Sequence, residues 1–236
     1  MTKHAGKATR AGLRIIFWTL VCLSAVLAGG ALLVFVSKWI VTISSHLLTI
    51  AGALTSLWLL FAAFTLYFFR DPKPLETSLA TAIVAPAHGK VDVVDETTEE
   101  EFMGGACRRI SIFLSVLDVH VQRAPVAGKL VHFKHRTGKF LSATKTHSAE
   151  HNENVLLGFE AIEAGGRKVG VRLIAGLLAR RILPWVKIDD VVARGERMSL
   201  IQFGSRCDLY LPLEVKLQVK LGDRVKGGET ILASFD

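Results

Sequence analysis

Two long apolar blocks open the chain. Residues 15–37 form a run of 23 residues without a formal charge, and residues 40–69 form a second uncharged block. Each block exceeds the roughly 20 residues that an α-helix needs to cross a hydrocarbon core. A cleaved signal peptide has a shorter apolar core of about 7–15 residues. The pattern therefore predicts a transmembrane helical hairpin over residues 15–69, preceded by a basic N-terminus at residues 1–14.

Basic residues flank both predicted spans. Four precede the first block and two follow the second: Lys3, Lys7, Arg10, Arg14, Arg70 and Lys73. Because cytoplasmic flanks carry an excess of Lys and Arg, we expect both ends on the cytoplasmic side of a bacterial-type inner membrane. The formal charge of +8 is concentrated at these ends, without interleaved basic and aromatic stripes. Nucleic acid is therefore not expected as a partner.

Alternating apolar and polar positions dominate residues 70–236. Two prolines, Pro72 and Pro74, end the membrane part. Gly and Pro then separate five short β-favouring runs, namely Ala82–Ala85, Lys90–Val94, Arg109–Val116, Lys129–Phe133 and Lys168–Ile174. Only Ser142–Asn152 and Leu177–Leu183 favour helix. The predicted fold class is α+β and mostly β, with the helical hairpin followed by a β-rich catalytic domain.

A Gly204-Ser205 pair lies between two of the alternating segments near the C-terminus. The carbonyl of a glycine is sterically open, and the hydroxyl of Ser205 can reach the Gly204 carbonyl through a five-membered ring. Attack would convert the peptide to an ester, and elimination would then release the upstream chain and leave a precursor of a pyruvoyl group. A simple turn is the alternative for this dipeptide.

Histidine and carboxylate side chains supply the other candidate chemistry. Asp118 and His120 follow an apolar strand and are predicted to point to the same side, where the carboxylate can orient the imidazole as a general base. A structural pair at the end of the strand is the alternative. His88 lies in a Pro-Ala-His-Gly turn. The histidine spacings fit no metal-binding pattern, and three cysteines without paired spacing fit neither a disulfide framework nor a zinc site.

Three basic residues are candidates for binding a phosphate group. Arg180 and Arg181 offer forked donors, and Lys139 offers an ammonium group. A solvated basic surface is the default interpretation of each of them taken alone. No glycine-rich phosphate loop is present.

Eight ordered segments together make the chain recognisable. They are Tyr67–Pro72, Ala85–Lys90, Ile112–His120, Gln122–Gly128, Gly138–Leu141, Asn152–Asn154, Ile174–Ile182 and Phe203–Arg206. On these segments the chain resembles the short, membrane-anchored form of the phosphatidylserine decarboxylase family, whose members depend on a pyruvoyl group. The resemblance runs from about Tyr67 to the C-terminus.

The resemblance implies self-cleavage between Gly204 and Ser205. A β chain of residues 1–204 and an α chain of residues 205–236 would stay associated, and Ser205 would become the pyruvoyl group. This group would form a Schiff base with phosphatidylserine and replace pyridoxal phosphate as the electron sink, without a metal, to give phosphatidylethanolamine and CO2. His120 is the candidate for proton transfer, with Asp118 as its orienter. Association into a homo-oligomer stays open.

His88 departs from the pattern of the family, which usually has aspartate at this place. That aspartate is thought to help activate the serine, so His88 acts as a base directly or leaves maturation slow or lost. An unprocessed homologue that only binds anionic phospholipid headgroups is one alternative function. A membrane-anchored binding module with a carrier-like turn at Gly222-Asp223 is another. Both alternatives predict one intact chain, whereas the enzyme predicts two.

Overall fold

A computed structural model describes residues 6–36, 41–75, 77, 79–138, 152–176, 181–202 and 205–235 of the 236-residue chain. These residues divide into two compact units, Gly6–Arg70 and a larger unit that begins at Asp71. Each unit has its own packing.

The smaller unit is a pair of long apolar helices, α1 (Lys7–Val36) and α2 (Val41–Phe68). The indole of Trp58 donates a hydrogen bond of 2.9 Å to the hydroxyl of Thr19, and Gly12 lets Phe69 approach α1 closely. Most large apolar side chains on the described parts of both helices are exposed. The segments Lys7–Leu33 and His46–Phe68 are long and apolar enough to cross a membrane.

The larger unit is built from antiparallel β-strands. The described strands form one eight-stranded sheet in the order β13-β2-β3-β11-β7-β6-β5-β9 and two three-stranded sheets, β1-β14-β12 and β4-β10-β8. Their bounds are β1 Ala82–Val84, β2 Gly89–Glu99, β3 Gly105–Leu114, β4 Val121–Arg123, β5 Gly128–Arg136, β6 Asn154–Ala161, β7 Arg167–Ala175, β8 Ile182–Pro184, β9 Val191–Val192, β10 Arg197–Ile201, β11 Ser205–Leu211, β12 Lys216–Leu217, β13 Arg224–Val225 and β14 Ile231–Ser234. One 3-10 turn, Ile162–Ala164, follows β6.

Alternation along the strands places the core on one face of the large sheet. In β11, Cys207, Leu209 and Leu211 belong to the main hydrophobic core. Arg206 and Asp208 point to the opposite face, because successive side chains of a strand alternate. Both are nevertheless buried, so this second face carries charged groups away from water.

The α+β, mostly β fold class is confirmed, with two long apolar helices followed by a β-rich unit. All five predicted runs coincide with strands, namely β1, β2, β3, β5 and β7. The helix expected over Leu177–Leu183 is wrong where it can be compared, since Ile182 and Leu183 lie in β8 and pair with β10. The helix expected over Ser142–Asn152 lies outside the described residues, except for Asn152.

Four neighbouring strands of the eight-stranded sheet begin or end side by side. Here β2 begins at Gly89, β3 ends at Leu114, β11 begins at Ser205 and β7 ends at Ala175. Gly89 has a φ of +153°, and a Cβ there would lie 2.2 Å from a backbone oxygen of β3. Glycine is therefore required where β2 starts against β3. We call this row of strand ends the Ser205 edge.

Candidate active site

Ser205 is the first residue of β11 at the Ser205 edge. Its backbone pairs with Leu114 of β3 on one side and with Ala175 of β7 on the other. The side chain is fully buried, and its hydroxyl makes no hydrogen bond with any residue that the structure describes. A buried hydroxyl without a partner costs about 1–3 kcal/mol, so such groups are rare and often functional. Gly204 lies outside the described residues.

His120 lies next to the chain segment that leads to Ser205. Its backbone carbonyl accepts the N–H of Ile201 at 3.2 Å, four residues before Ser205. The ring is buried, and Nδ1 lies 2.9 Å from the carbonyl oxygen of Asp118. A carbonyl oxygen can only accept, so Nδ1 carries the proton of this bond. In the neutral imidazole Nε2 is then the basic nitrogen.

The carboxylate of Asp118 has a different role from the one predicted from sequence. Its Oδ2 accepts the backbone N–H and the hydroxyl of Ser115, at 2.8 and 2.7 Å. The reason is that β3 ends at Leu114 and the chain turns over Ser115–Asp118, so that Asp118 does not continue a strand with His120. The prediction that the carboxylate orients the ring is therefore wrong, because the main-chain carbonyl of Asp118 does so.

Gln122 and Ser199 form a chain of hydrogen bonds to the His120 backbone, and the sequence analysis assigned neither of them to the site. The Gln122 amide donates to the His120 carbonyl at 2.8 Å, and the Ser199 hydroxyl donates to the Gln122 side-chain oxygen at 2.8 Å. Both side chains are fully buried. The pair holds the backbone of His120 in place. Gln122 was recognised only as the first residue of the Gln122–Gly128 segment of the family pattern, and no sequence signal indicated Ser199.

Asn152 is a second residue that was missed as part of the site. Its amide donates to the Ala175 carbonyl at 2.7 Å, and the Ala175 N–H donates to the Glu153 carbonyl at 2.9 Å. Because Ala175 pairs with Ser205, Asn152 fixes the strand end beside the serine. The Asn152–Asn154 segment was recognised only as part of the family pattern.

His88 precedes β2 at the same edge. Its Nδ1 accepts the backbone N–H of Gly227 at 3.1 Å. The neutral ring then has its proton on Nε2, so that nitrogen is a hydrogen-bond donor. Whether His88 acts directly as a base or leaves maturation slow or lost stays a prediction.

Of the three basic candidates for phosphate binding, only Arg181 belongs to the described residues. It is exposed, and its carbonyl accepts the N–H of Gln202 at 3.3 Å, which brings it beside the segment before Ser205. Arg180 and Lys139 lie outside the described residues. Among the residues with assigned positions, no group of three or more His, Cys, Asp or Glu side chains could hold a metal ion.

Comparison with known proteins identifies the family. A family model described as phosphatidylserine decarboxylase matches residues 61–233. The chain belongs to the phosphatidylserine decarboxylase family. It is 46% identical over 182 residues to the phosphatidylserine decarboxylase proenzyme of Desulfotalea psychrophila, covering 77% of this chain and 84% of that protein. The identity to the proenzyme of Syntrophus aciditrophicus is 42% over 173 residues, with coverages of 73% and 80%.

The part of the chain that matches the phosphatidylserine decarboxylase family includes Asp71. Its carboxylate accepts a 2.6 Å hydrogen bond from Arg123 and a second bond from Arg197. Arg123 also donates to the carbonyl groups of Pro72, at 2.7 Å, and Gly195, at 3.0 Å. All three charged side chains are largely buried. Asp71, where the larger unit begins, is thus fixed to β4 and β10, the strands that carry Gln122 and Ser199.

Arg206 and Asp208, which follow Ser205 in β11, are also buried charged residues of this phosphatidylserine decarboxylase fold. Arg206 forms an ion pair with Asp92. Burial raises the pKa of the Asp208 carboxyl group, although the Ser111 hydroxyl and three nearby arginines, Arg206, Arg109 and Arg172, oppose this shift. Its Oδ1 has no hydrogen-bond partner among the residues the structure covers. These contacts bind β11 to its neighbours on the face opposite the core.

Proposed function

We propose that this chain is a self-processing, pyruvoyl-dependent phosphatidylserine decarboxylase that produces phosphatidylethanolamine and CO2. One observation carries the proposal most directly. Ser205, the first residue of the central strand β11, has a buried hydroxyl without a hydrogen-bond partner in the described structure. His120, whose carbonyl bonds the segment that leads to Ser205, is held with Nε2 as its basic nitrogen. That is the combination which an attack by the serine on the preceding carbonyl requires.

In the proposed self-cleavage, the Ser205 oxygen attacks the carbonyl carbon of Gly204, and the C–N bond between the two residues breaks to leave an ester. Removal of the Cα proton of Ser205 then expels the Gly204 carboxylate. Hydrolysis of the resulting dehydroalanine releases ammonia and leaves the pyruvoyl group. Nε2 of His120 is our candidate for accepting and returning protons.

When formed at Ser205, the pyruvoyl group supplies through a Schiff base the electron sink that amino-acid decarboxylation requires. The residues of the chain supply the surroundings. Asp118 orients His120 through its carbonyl, Gln122 and Ser199 hold the histidine backbone, and Arg181 is a candidate for the lipid phosphate, together with Arg180 and Lys139. Burial of Ser205 keeps bulk water away from the reacting atoms.

The pairing of β11 supports continued association of the two chains after cleavage. Residues 205–211 pair with β3, residues 205–210 pair with β7, and Arg206 holds Asp92 of β2. A cut before Ser205 leaves all of these contacts intact. We further propose that the β-rich domain faces the cytoplasm, as the flanking basic residues predict. Association into a homo-oligomer stays a prediction.

Intact-mass spectrometry of the purified full chain tests the proposal. We expect a fragment that begins at residue 205 with a blocked N-terminus in the wild type, and an uncleaved chain in Ser205→Ala. Ser111→Ala is the matched control, since Ser111 is also a fully buried serine but lies within β3, away from the Gly204-Ser205 bond. Conversion of phosphatidylserine in detergent micelles is measured on the same samples. An uncleaved wild-type chain that only binds lipid would contradict the proposal.

A further inference from the structure

An exposed apolar turn lies beside the candidate active site. The turn Ser115–Asp118 presents Val116 and Leu117, whose side chains are 37% and 59% exposed. The last residue of the turn holds the ring of His120 through its carbonyl. Two neighbouring apolar side chains therefore face solvent in the turn that follows β3 at the Ser205 edge.

Arg224 places a cationic side chain beside this turn, and two lysines lie next to Arg224. Nη1 of Arg224 lies 3.8 Å from Oδ1 of Asp118. Arg224 pairs across the strands with Lys90, which is exposed. Arg224, Lys226 and the exposed Leu75 also line one groove. We call this set the docking patch, and it consists of Leu75, Lys90, Val116, Leu117, Arg224 and Lys226.

The charge that the docking patch presents to solvent is positive. The side chain of Arg224 is 78% exposed, but that of its partner Asp118 is only 17% exposed. Lys226 is 69% exposed, and its partner Glu229 is 20% exposed. The carboxylates thus lie beneath the cations. An exposed apolar turn with exposed cations near it complements an anionic lipid surface. The anionic headgroups attract the cations, and the membrane interface accepts the apolar side chains.

We propose that the docking patch binds the surface of an anionic lipid bilayer and inserts the turn at Leu117 into the interface. The adjacent Gly227 N–H contacts His88, and the turn contacts His120, so a docked bilayer would present its headgroups to the Ser205 edge. The inference rests on the proposed function in that the substrate is itself a lipid of this surface. It adds a bilayer contact made by the β-rich unit itself.

A fluorescent reporter on the turn tests the contact in the full chain. Leu117→Cys is labelled with an environment-sensitive dye in a Cys22→Ser background, because Cys107 and Cys207 are buried. Ile162→Cys is the matched control, since Ile162 is 58% exposed at the opposite edge of the sheet. Both proteins are reconstituted in phosphatidylcholine vesicles, with or without phosphatidylglycerol, that contain a doxyl-labelled quencher lipid.

We expect blue-shifted and strongly quenched emission at position 117 in vesicles with phosphatidylglycerol, and little change at position 162. The double substitution Arg224→Gln and Lys226→Gln should remove most of the quenching that depends on phosphatidylglycerol. Equal signals at the two positions would overturn the proposal. A shift at position 117 in detergent without lipid that grows with protein concentration would also overturn it, because the partner would then be a second copy of the chain.

Intact mass of the same labelled samples separates this proposal from the proposed function. A normally cleaved chain with an unquenched label would overturn the docking proposal alone. An uncleaved chain with a quenched label would overturn the self-processing function and leave the docking surface standing.

Discussion

Replacement of Gln122 by methionine tests whether the position of His120 controls maturation. Gln122→Met keeps the length of the buried side chain but removes its 2.8 Å hydrogen bond to the His120 carbonyl. It also removes the acceptor of the Ser199 hydroxyl. The His120 carbonyl keeps the N–H of Ile201 at 3.2 Å. The histidine backbone is therefore loosened without being left unpaired.

The magnitude follows from the bonds that are lost. A net hydrogen bond contributes about 1 kcal/mol, and the stranded Ser199 hydroxyl adds about 1–3 kcal/mol to the loss of stability. If only the bond to His120 is felt in the transition state, self-cleavage slows about fivefold. Ser199→Ala leaves that bond in place and should have a smaller effect on the rate.

The assay follows the ratio of uncleaved to cleaved chain by gel electrophoresis after a pulse of synthesis. Val169→Ala is the control, because it truncates a buried core residue near the opposite edge and costs about 2 kcal/mol of stability. Cleavage of Gln122→Met at the wild-type rate would refute the reasoning. So would equal slowing by Val169→Ala, since stability alone would then explain the effect.

Substitutions of His88, Asp208 and Gly89 give distinct results. His88→Leu removes the acceptor of the Gly227 N–H and should slow cleavage, as followed on gels. His88→Asp keeps an acceptor and should cleave at least as fast as the wild type. Equal cleavage rates of the two variants would exclude a role for this hydrogen bond. Burial raises the pKa of Asp208, so its stabilising contribution is present below its unfolded pKa of about 4 and is lost as pH rises through the folded value. Asp208→Asn should therefore raise the melting temperature at neutral pH; a decrease would show that the surrounding arginines outweigh burial. Gly89→Ala should prevent β2 from pairing with β3 at the Ser205 edge, because the added Cβ would clash with the backbone oxygen of Phe113. Gly105→Ala is the control, since Gly105 has a similar φ of +151° but open space around it. Equal melting temperatures of the two variants would contradict the clash.

The strands were predictable because each depends on local alternation. Runs such as Arg109–Val116 place apolar side chains on one face, and the structure has β3 there. The helix expected over Leu177–Leu183 failed because that argument ignored partners. Ile182 and Leu183 pair with Ile201 and Leu200 of β10, and such pairing overrides a weak local preference.

For the candidate site, the sequence names residues but does not indicate their contacts. The Gly204-Ser205 pair and His120 could be read from chemistry and resemblance. The orientation of Asp118 could not, because it depends on where β3 ends and the turn begins. The pairing of Ser199 with Gln122 joins residues 77 positions apart, and no periodicity within either segment indicates it.

Asp71 shows most clearly why linear reading falls short. Two nearby prolines predicted the end of the membrane part here, but nothing in the sequence indicated that the carboxylate of Asp71 is buried between Arg123 and Arg197, which lie 52 and 126 residues away. A buried carboxylate that is shared by two guanidinium groups resists removal, since loss of one partner leaves an unpaired buried charge. Those arginines belong to β4 and β10, which also carry Gln122 and Ser199. Asp71 and the hydrogen bonds that hold the His120 backbone therefore depend on the same pair of strands, so a substitution of Asp71 should also weaken the hydrogen bonds at His120.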